Sequence, residues 1–543
     1  MRQFLVITVL GLAMAQGASS QAYSATSSDV LIYGCTPAGI TAALEVRRHG
    51  HSVQLLCPGS HIGGLSANGL GFADAGDHDA VGGQALQFYR DVKAYYTAKG
   101  YTGSTRGQTA ESQSPVDRET MWIFEPHVAE AIYTRWLSDA GVKPVFRQAL
   151  LLDTKKGVEK DGARIRKIHT VDGHTYAGRV FIDATYEGDL LAMAGVSYTI
   201  GREANAVYGE TLNGIQAANS TNHQFVKDID PYVVPGNPAS GLLPRISAEP
   251  PGQDGDGDQR IQAYNYRLCM TKDPGNRVAF RKPDNYDPQQ YEVLGRYLDA
   301  GFRGPFGIFA AIPHGKTDTN NYGAFSTDDI GMNYSYPTGS YAEREKIAAE
   351  HRSYQEGFFW FLQHDPRVPM DVREATSAWG LCADEFTDNG NWPHELYIRE
   401  GRRMVSDFVM TENHLRGSTP TPEPVGLGSY NLDSHNSRRY VDAKGHVRNE
   451  GNIEVSPGRV YEISYRAIVP KENEASNLLV PVAVSASHIA YGSIRMEPVF
   501  MILGQSAGAA ASLSLEEGVP VQAISYDKLR GLLLDEGQHL TSK

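Results

Sequence analysis

The residues with the clearest chemical purpose run from Asp29 to Val46, where a short apolar strand, Val30–Tyr33, leads through Gly34-Cys-Thr-Pro-Ala-Gly39 into a helix of small residues. A turn of this kind leaves backbone N–H groups free, and the helix start adds its partial positive charge, so the pattern suits the pyrophosphate of a dinucleotide. Glycine makes up 56 of the 543 residues, so the spacing alone is weak and the strand-turn-helix context carries the reading. Thr36 stands where the middle glycine of the dinucleotide fingerprint usually sits, which tilts the choice from NAD towards FAD. The acid expected about 20 residues past the first glycine, as partner of the ribose hydroxyls, would fall near Cys57, and neither Asp nor Glu is there. After the next strand, Ser52 to Leu56, the stretch His61-Ile-Gly-Gly-Leu-Ser-Ala-Asn-Gly-Leu-Gly71 brings a second backbone close to whatever the clasp holds. His61 is of a type that can link to a flavin, but nothing in the sequence supports a covalent bond.

A flavin oxidation also needs a group that takes a proton as hydride leaves. His488 and Tyr491, just upstream of the last apolar helix, are the first candidates for the substrate side of the ring. A histidine bonded to nearby backbone is the plain alternative. Tyr186, Glu187 and Asp189 form a compact phenol and acid cluster, in which Glu187 is a candidate base or simply a helix cap. The segment Trp392 to Arg403 carries His394, Tyr397, Arg399, Arg402 and Arg403 at spacings that would put several on one helical face, suited to carboxylate or substrate oxygens. Ion pairs with Glu395 or Glu400 are the structural alternative, and His435 is a weaker candidate. The run Asp254-Gly-Asp-Gly-Asp258 resembles a calcium loop, but Gln259 and Asn265 stand where such a loop needs Gly and Glu. It reads as a solvated turn, and no metal site is expected.

The elements that must position these residues form two groups. The strand Val145–Asp153, a hairpin of Arg164–Val171 and Thr175–Ile182 about Asp172-Gly173, and a strand end at Asp183-Ala-Thr185 continue the first pattern, with a helix over Val128–Leu137. From about Gly201 the composition turns to Gly, Pro, Asn and Tyr, interrupted by a helix capped at Asp287 and another over Ala342–Leu362, whose apolar stripe makes His351 a core histidine. The chain then returns to its first pattern with a strand at Asn477, a polar loop over Ser485–Arg495 and a helix over Met501–Leu515. The expected division is a signal segment over 1–22, a first dinucleotide part over 28–200, an inserted α+β substrate domain over 201–455, and a closing part over 456–540.

Lys plus Arg is 50 and Asp plus Glu 63, a net charge of −13, without a basic run or basic-aromatic interleaving, so nucleic acid is not an expected partner. The first residues have a charged start and an apolar run too short to span a bilayer, then Ala13-Met-Ala15 and Ser20-Gln-Ala22. They read as a secretory signal and place the protein outside the cytoplasm, secreted or periplasmic, with no membrane span. The cysteines, Cys35, Cys57, Cys269 and Cys382, lack zinc spacing. Disulfides are permitted in an exported chain, but Cys35 and Cys57 end inner strands where buried thiols are equally expected.

Taken with the clasp, Asp183-Ala-Thr-Tyr-Glu-Gly-Asp189, Tyr264-Asn-Tyr-Arg-Leu-Cys269, Lys316-Thr-Asp-Thr-Asn-Asn321, Asp384-Glu-Phe-Thr-Asp388, Trp392–Arg403, Gly428–His435 and Gly492–Gly508 give a chain that resembles the FAD-dependent oxidoreductases often labelled xanthan lyase-like. The resemblance covers nearly all of the chain past its first residues. It implies an α/β two-dinucleotide-domain flavoprotein fold, with a discontinuous Rossmann-like FAD domain. By that resemblance Gly34, Thr36, Pro37, Ala38 and Gly39 cradle the pyrophosphate, while Gly63, Gly64, Leu65 and Ser66 run beside the ribityl and ring. Ala184 and Thr185 match the strand end near the pyrophosphate. Gly504, Gln505 and Ser506 open the last helix, whose positive end would stabilise charge on the reduced flavin. The expectation is an exported FAD oxidoreductase acting on a C–OH or C–N carbon of a small polar or carbohydrate-like substrate. Its rivals are a polysaccharide lyase or hydrolase without redox chemistry, and a carbohydrate-binding protein.

Overall fold

The computed structural model describes residues 26–105, 114–305 and 309–542. The expected signal segment lies outside them.

β1 (Thr26–Tyr33), α1 (Pro37–Arg48) and β2 (Val53–Leu56) form the opening β-α-β unit. β1 and β2 pair in parallel, Val30 opposite Val53 and Tyr33 opposite Leu56. β1 is apolar on both faces over Val30–Tyr33 because helices and loops cover the sheet on both sides, which is why its sequence does not alternate. β3 (Val158–Asp161), β4 (Arg164–His169) and β5 (Thr175–Asp183) follow as antiparallel neighbours, and β5 returns to lie parallel to β1. The sheet order is β2-β1-β5-β4-β3, with Leu478–Leu479 parallel to the C-terminal end of β5. The hairpin about Asp172-Gly173 is therefore present, but Val145–Asp153 is not a strand. It touches the sheet only through single bridges at Val145 and Leu150, because its backbone turns at Arg147 (φ 58°).

The long helix Glu497–Glu517 packs across α1. Its glycines decide how close: a Cβ on Gly504 would lie 2.2 Å from the Ala38 carbonyl oxygen, and one on Gly508 2.6 Å from that of Ala42. The Thr41 hydroxyl donates to the Met501 carbonyl at 2.9 Å across the same seam. Among the described residues this is the one helix with the length and apolar composition of a membrane span, and it is buried inside the protein. It begins four residues before the expected start at Met501, with Pro498 in its first turn. Ser485–Arg495 also departs from expectation: His488–Ile494 is a helix, with the Ser487 hydroxyl accepting from Ala490 N–H.

Between the two parts of this unit lies a second, antiparallel sheet of Arg277–Val278, Gly380–Cys382, Leu268–Thr271, Lys316–Thr319 and Phe309–Ile312, in that order. The helix Tyr341–His364 carries a full capping box at Ser340 and Glu343. His351 is buried on it, its Nδ1 2.8 Å from the Ile347 carbonyl. Trp392–Arg403 is not helical. It is extended and irregular, with a bridge at Tyr397 and a short strand beginning at Arg403, so its basic side chains diverge rather than share a face.

Candidate active site

β1 delivers the chain to Gly34, whose φ of +112° a side chain would rarely adopt. Thr36 then caps α1, its hydroxyl accepting from Gly39 N–H at 3.4 Å and donating to the Ala184 carbonyl at 2.7 Å. The turn and the end of β5 are thereby tied together. Gly39 closes the turn: a Cβ there would lie 2.0 Å from the Gly34 carbonyl oxygen. The N-terminus of α1, with a partial charge of about +0.5, meets a cleft of about 490 Å³ bordered by Gly34, Cys35 and Thr36 on one side and Thr185, Tyr186 and Glu187 on the other. Gly63 N–H donates to the Cys35 carbonyl at 2.8 Å, and Leu65 N–H to the Tyr186 hydroxyl at 3.0 Å, so the second glycine element lies against the first. Gly34, Thr36 and Thr185 border the cleft directly, and Pro37, Ala38, Gly39, Gly63, Gly64, Leu65, Ser66 and Ala184 are buried beside these elements.

Gly504, Gln505 and Ser506 are elsewhere. They lie well inside the long helix, Gly504 against α1, Gln505 accepting from Gln84 N–H at 2.9 Å and the Ser506 hydroxyl donating to Val425 at 3.0 Å. The positive end of that helix is at Glu497. There the carboxylate accepts from the Tyr186 hydroxyl at 2.7 Å, and burial pushes the Glu497 carboxyl up to about 8.

The catalytic candidates separate into two groups. Glu187 and His394 border the cleft. The Tyr336 hydroxyl donates to Glu187 at 3.3 Å, and burial raises the Glu187 carboxyl above its usual range, with Arg344 opposing and Asp189 adding to the rise. His394 stacks on His61 with ring centroids 3.5 Å apart, and its Nε2 lies 2.9 Å from Asp388. His488, Tyr491 and Arg399 are not cleft residues. His488 is 2% exposed, with Nδ1 2.7 Å from Glu400 and Nε2 3.1 Å from the Ser434 hydroxyl, so both ring nitrogens are occupied. Tyr491 is buried next to it. Arg399 pairs with Asp328 at 3.0 Å and donates to Asn265 and Asn320, whereas Glu400 pairs with Arg403 at 2.7 Å. Arg399 is thus an ion-pair residue, with a different acid from the two its sequence neighbours offered. Asp254 accepts from Ala217 and Ala218 N–H groups at 2.6 and 3.0 Å, a turn-forming role.

The cleft also gathers residues that the sequence did not offer as catalytic: Glu395, expected only as an ion-pair partner, and Arg344, Tyr33, Tyr266, Tyr336 and Tyr341. Burial, with the Glu187 charge adding, pushes the Glu395 carboxyl up to about 8. Arg344 forks onto Asp189 at 2.6 and 2.8 Å, and Arg402 reaches the same carboxylate at 2.8 Å. Burial of Asp189 alone would raise it, but the two guanidiniums win and hold it low. A signal for Arg344 did exist: it stands three residues before Ile347, on the stripe that continues through His351 and Tyr354, and an arginine on a buried stripe needs a partner. A larger cavity of about 580 Å³, lined by Arg47, Gln87, Trp136 and Glu536 among others, contains none of the candidate residues.

The arrangement is an anion-holding turn opening onto a wall of phenols, carboxyls and one forked arginine, equipped to hold a phosphate-bearing group and move a proton beside it. Solved structures resemble this chain only distantly. The L-proline dehydrogenase of P. horikoshii is 16% identical over 33% of this chain and 59% of its own, with a TM-score of 0.24. The 3-ketosteroid-delta4-(5alpha)-dehydrogenase of Rhodococcus jostii is 12% identical over 34% and 58%, at 0.23, and a flavin-containing monooxygenase of Stenotrophomonas maltophilia 17% over 35% and 45%, at 0.19. The chain spans less than two thirds of each, and at these scores none carries an argument about function. No curated protein matches. The family described as FAD dependent oxidoreductase matches residues 29–533, and with the clasp, the second glycine element and the covering helix in place across that span, the chain belongs to that family.

Proposed function

We propose that this protein is an exported enzyme that removes hydride from a C–OH or C–N carbon of a small polar or carbohydrate-like substrate and passes the electrons to dioxygen or another acceptor. Family membership implies FAD, and the residues fit it where the pyrophosphate would lie: Gly34 and Thr36 border the cleft at the start of α1, where a helix N-terminus favours an anion. When bound, FAD supplies the two-electron acceptor, and the chain supplies the proton chemistry and the orientation.

The observation that carries the reading is the pair Glu187 and Glu395 on the same cleft as the clasp. Both carboxyls are raised, so they titrate nearer neutrality than free carboxyls do, where proton transfer is efficient. Like charges on one site do not both ionise readily, so one keeps a proton while the other accepts one. Glu187, oriented by Tyr336, takes the substrate proton, and neutral Glu395 donates a hydrogen bond to a substrate oxygen. The tyrosines around them offer flat faces suited to a hydroxylated ring. Export is supported by the charged and apolar first residues and by the Cys35–Cys57 disulfide, a bond that persists in oxidising compartments.

The test is an absorbance spectrum of the purified protein followed by anaerobic addition of sugars, alcohols and amines. Flavin bands that bleach with a member of this panel support the reading. Glu187→Gln should then bleach roughly 10²–10⁴-fold more slowly with the same resting spectrum. A protein that takes up no FAD, or a Glu187→Gln variant as fast as the parent, removes it.

A further inference from the structure

β2 ends at Leu56, and the residue that follows, where a dinucleotide clasp places an acid for the ribose hydroxyls, is Cys57, bonded to Cys35. Cys35 is the residue between Gly34 and Thr36, so the bridge joins the glycine turn to the end of the neighbouring strand. Both cysteines border the cleft, together with Pro58 and Gly59. Sulfur in a disulfide accepts hydrogen bonds weakly and carries no charge, so the bridge cannot hold ribose hydroxyls as a carboxylate does. What it does is hold the turn at one separation from the strand end. The flanking backbone has other ties: Gly34 N–H to Leu56 at 2.9 Å, Cys57 N–H to Val145 at 2.8 Å, and Gln148 N–H to Cys57 at 2.8 Å. The strands can therefore persist without the bridge, while the turn keeps its ties from Gly63 N–H to the Cys35 carbonyl and from Thr36 to Ala184 but loses its only covalent link to the end of β2 and gains freedom there.

We propose that the Cys35–Cys57 disulfide is the adenosine-end element of the FAD site, replacing a ribose-binding acid by fixing the glycine turn in its binding shape. This rests on the cleft beside α1 being the FAD cleft. The experiment follows release of FAD from the holoenzyme on dilution, read as the rise of free-flavin fluorescence, for the parent, Cys35→Ser/Cys57→Ser and Cys35→Ala/Cys57→Glu. Loss of the bridge should speed release by about tenfold or more, because preorganisation is lost, and the glutamate should restore retention by supplying the acid. Phosphine reduction of the folded parent should reproduce the loss, and reoxidation should reverse it, which keeps the test decisive if the serine variant does not fold. Release within about twofold of the parent after reduction overturns the proposal while leaving FAD binding intact. A parent that holds no FAD overturns both the proposal and the reading beneath it.

A separate observation concerns the other two cysteines. Leu268–Thr271 and Gly380–Cys382 pair antiparallel with Gly380 opposite Thr271 and Leu381 opposite Met270, so the next rung sets Cys382 opposite Cys269. Their sulfurs are 2.7 Å apart and both residues are buried. Unbonded heavy atoms rest farther apart, at about 3.5–4.0 Å for carbon. We infer that Cys269 and Cys382 are joined as a second disulfide in the exported protein. The bond forms by exchange during folding: two thiols and a donor disulfide become the new disulfide and two donor thiols, with protons and electrons balanced. Protein expressed through a secretory route, denatured in alkylating agent without reductant and digested, should show no alkylated cysteine and a linked peptide pair carrying Cys269 and Cys382. Alkylation at both residues, or pairing of either with Cys35 or Cys57, overturns it.

Discussion

On the clasp side of the cleft, Gly34 and Thr36 present backbone and little else, with Gly39 buried behind them, whereas on the facing side Glu187, Tyr336, Arg344 and Glu395 present long side chains. The clasp side is set by distances that admit no Cβ, 2.0 Å at Gly39 and 2.6 Å at Gly34. The facing side is set by charge, with buried carboxyls that are raised unless a guanidinium reaches them, as with Asp189. A wall of backbone binds what all dinucleotides share and leaves little room to vary. A wall of side chains can change its ligand by substitution while the fold persists, so on the proposed reading substrate choice belongs on the facing side.

Substitutions can break this contrast or sharpen it. The largest effect is expected for Gly39→Val, where the clash is with backbone that cannot move aside. Destabilisation should exceed about 4 kcal/mol, seen as loss of soluble, flavin-bearing protein; a folded yellow variant would show that the clasp can flex. Next, Asp189→Asn strands Arg344 and Arg402 without their buried anion and should cost about 3–5 kcal/mol in chemical denaturation. A cost close to zero would mean that Glu187 takes over both guanidiniums, making the facing wall more adaptable than its geometry indicates.

The third prediction concerns pH. Glu497 is raised from 4.5 to about 8 by burial, so the folded state binds its proton more tightly than the unfolded state does. Its contribution is full below the unfolded value and is lost as pH rises through the folded one. Stability should therefore decline between pH 4.5 and 8. Glu497→Gln should raise Tm relative to the parent at the alkaline end of that window and scarcely at the acid end, with Glu395 supplying a residual slope of the same sign. A Tm difference that is flat with pH would show that Glu497 is ionised in the folded protein. The smallest effect is Thr36→Ala, which removes the cap of α1 and the bond to Ala184, at about 1 kcal/mol by thermal unfolding. A much larger cost would make the tie to β5, rather than the cap, its main contribution.

Where the sequence reading succeeded, the structure depends on near neighbours. Gly34 and Gly39 are five residues apart, and the Asp287 cap accepts from the N–H of Gln289, two residues on. Where it failed, the deciding partner is far along the chain. Gly504, Gln505 and Ser506 resembled a helix opening, but Gly504 is a glycine because α1 crosses there, and Gln505 and Ser506 bond to Gln84 and Val425 instead. The actual signal for the opening was Pro498 in the first turn. The arginines near residue 400 have helix-like spacing, yet the chain there is extended by its bridge between Tyr397 and Asn265. His488 looked catalytic because it precedes the last helix, and proves to be satisfied by Glu400 and Ser434.

The sequence by itself determined the strand, glycine turn and helix at Val30–Val46, the hairpin about Asp172-Gly173 and the helix expected over Ala342–Leu362, because strand, turn and cap preferences act over a few residues, while its motifs carried the resemblance to the family. Only the tertiary structure decided that Glu187 shares a cleft with Glu395, 208 positions later, that Arg344 and Arg402 converge on Asp189, and that Cys35 bonds to Cys57. Those pairings depend on which surfaces the crossing of α1 and Glu497–Glu517 and the second sheet bring together, and a carboxyl or thiol acquires its chemistry from what is placed beside it.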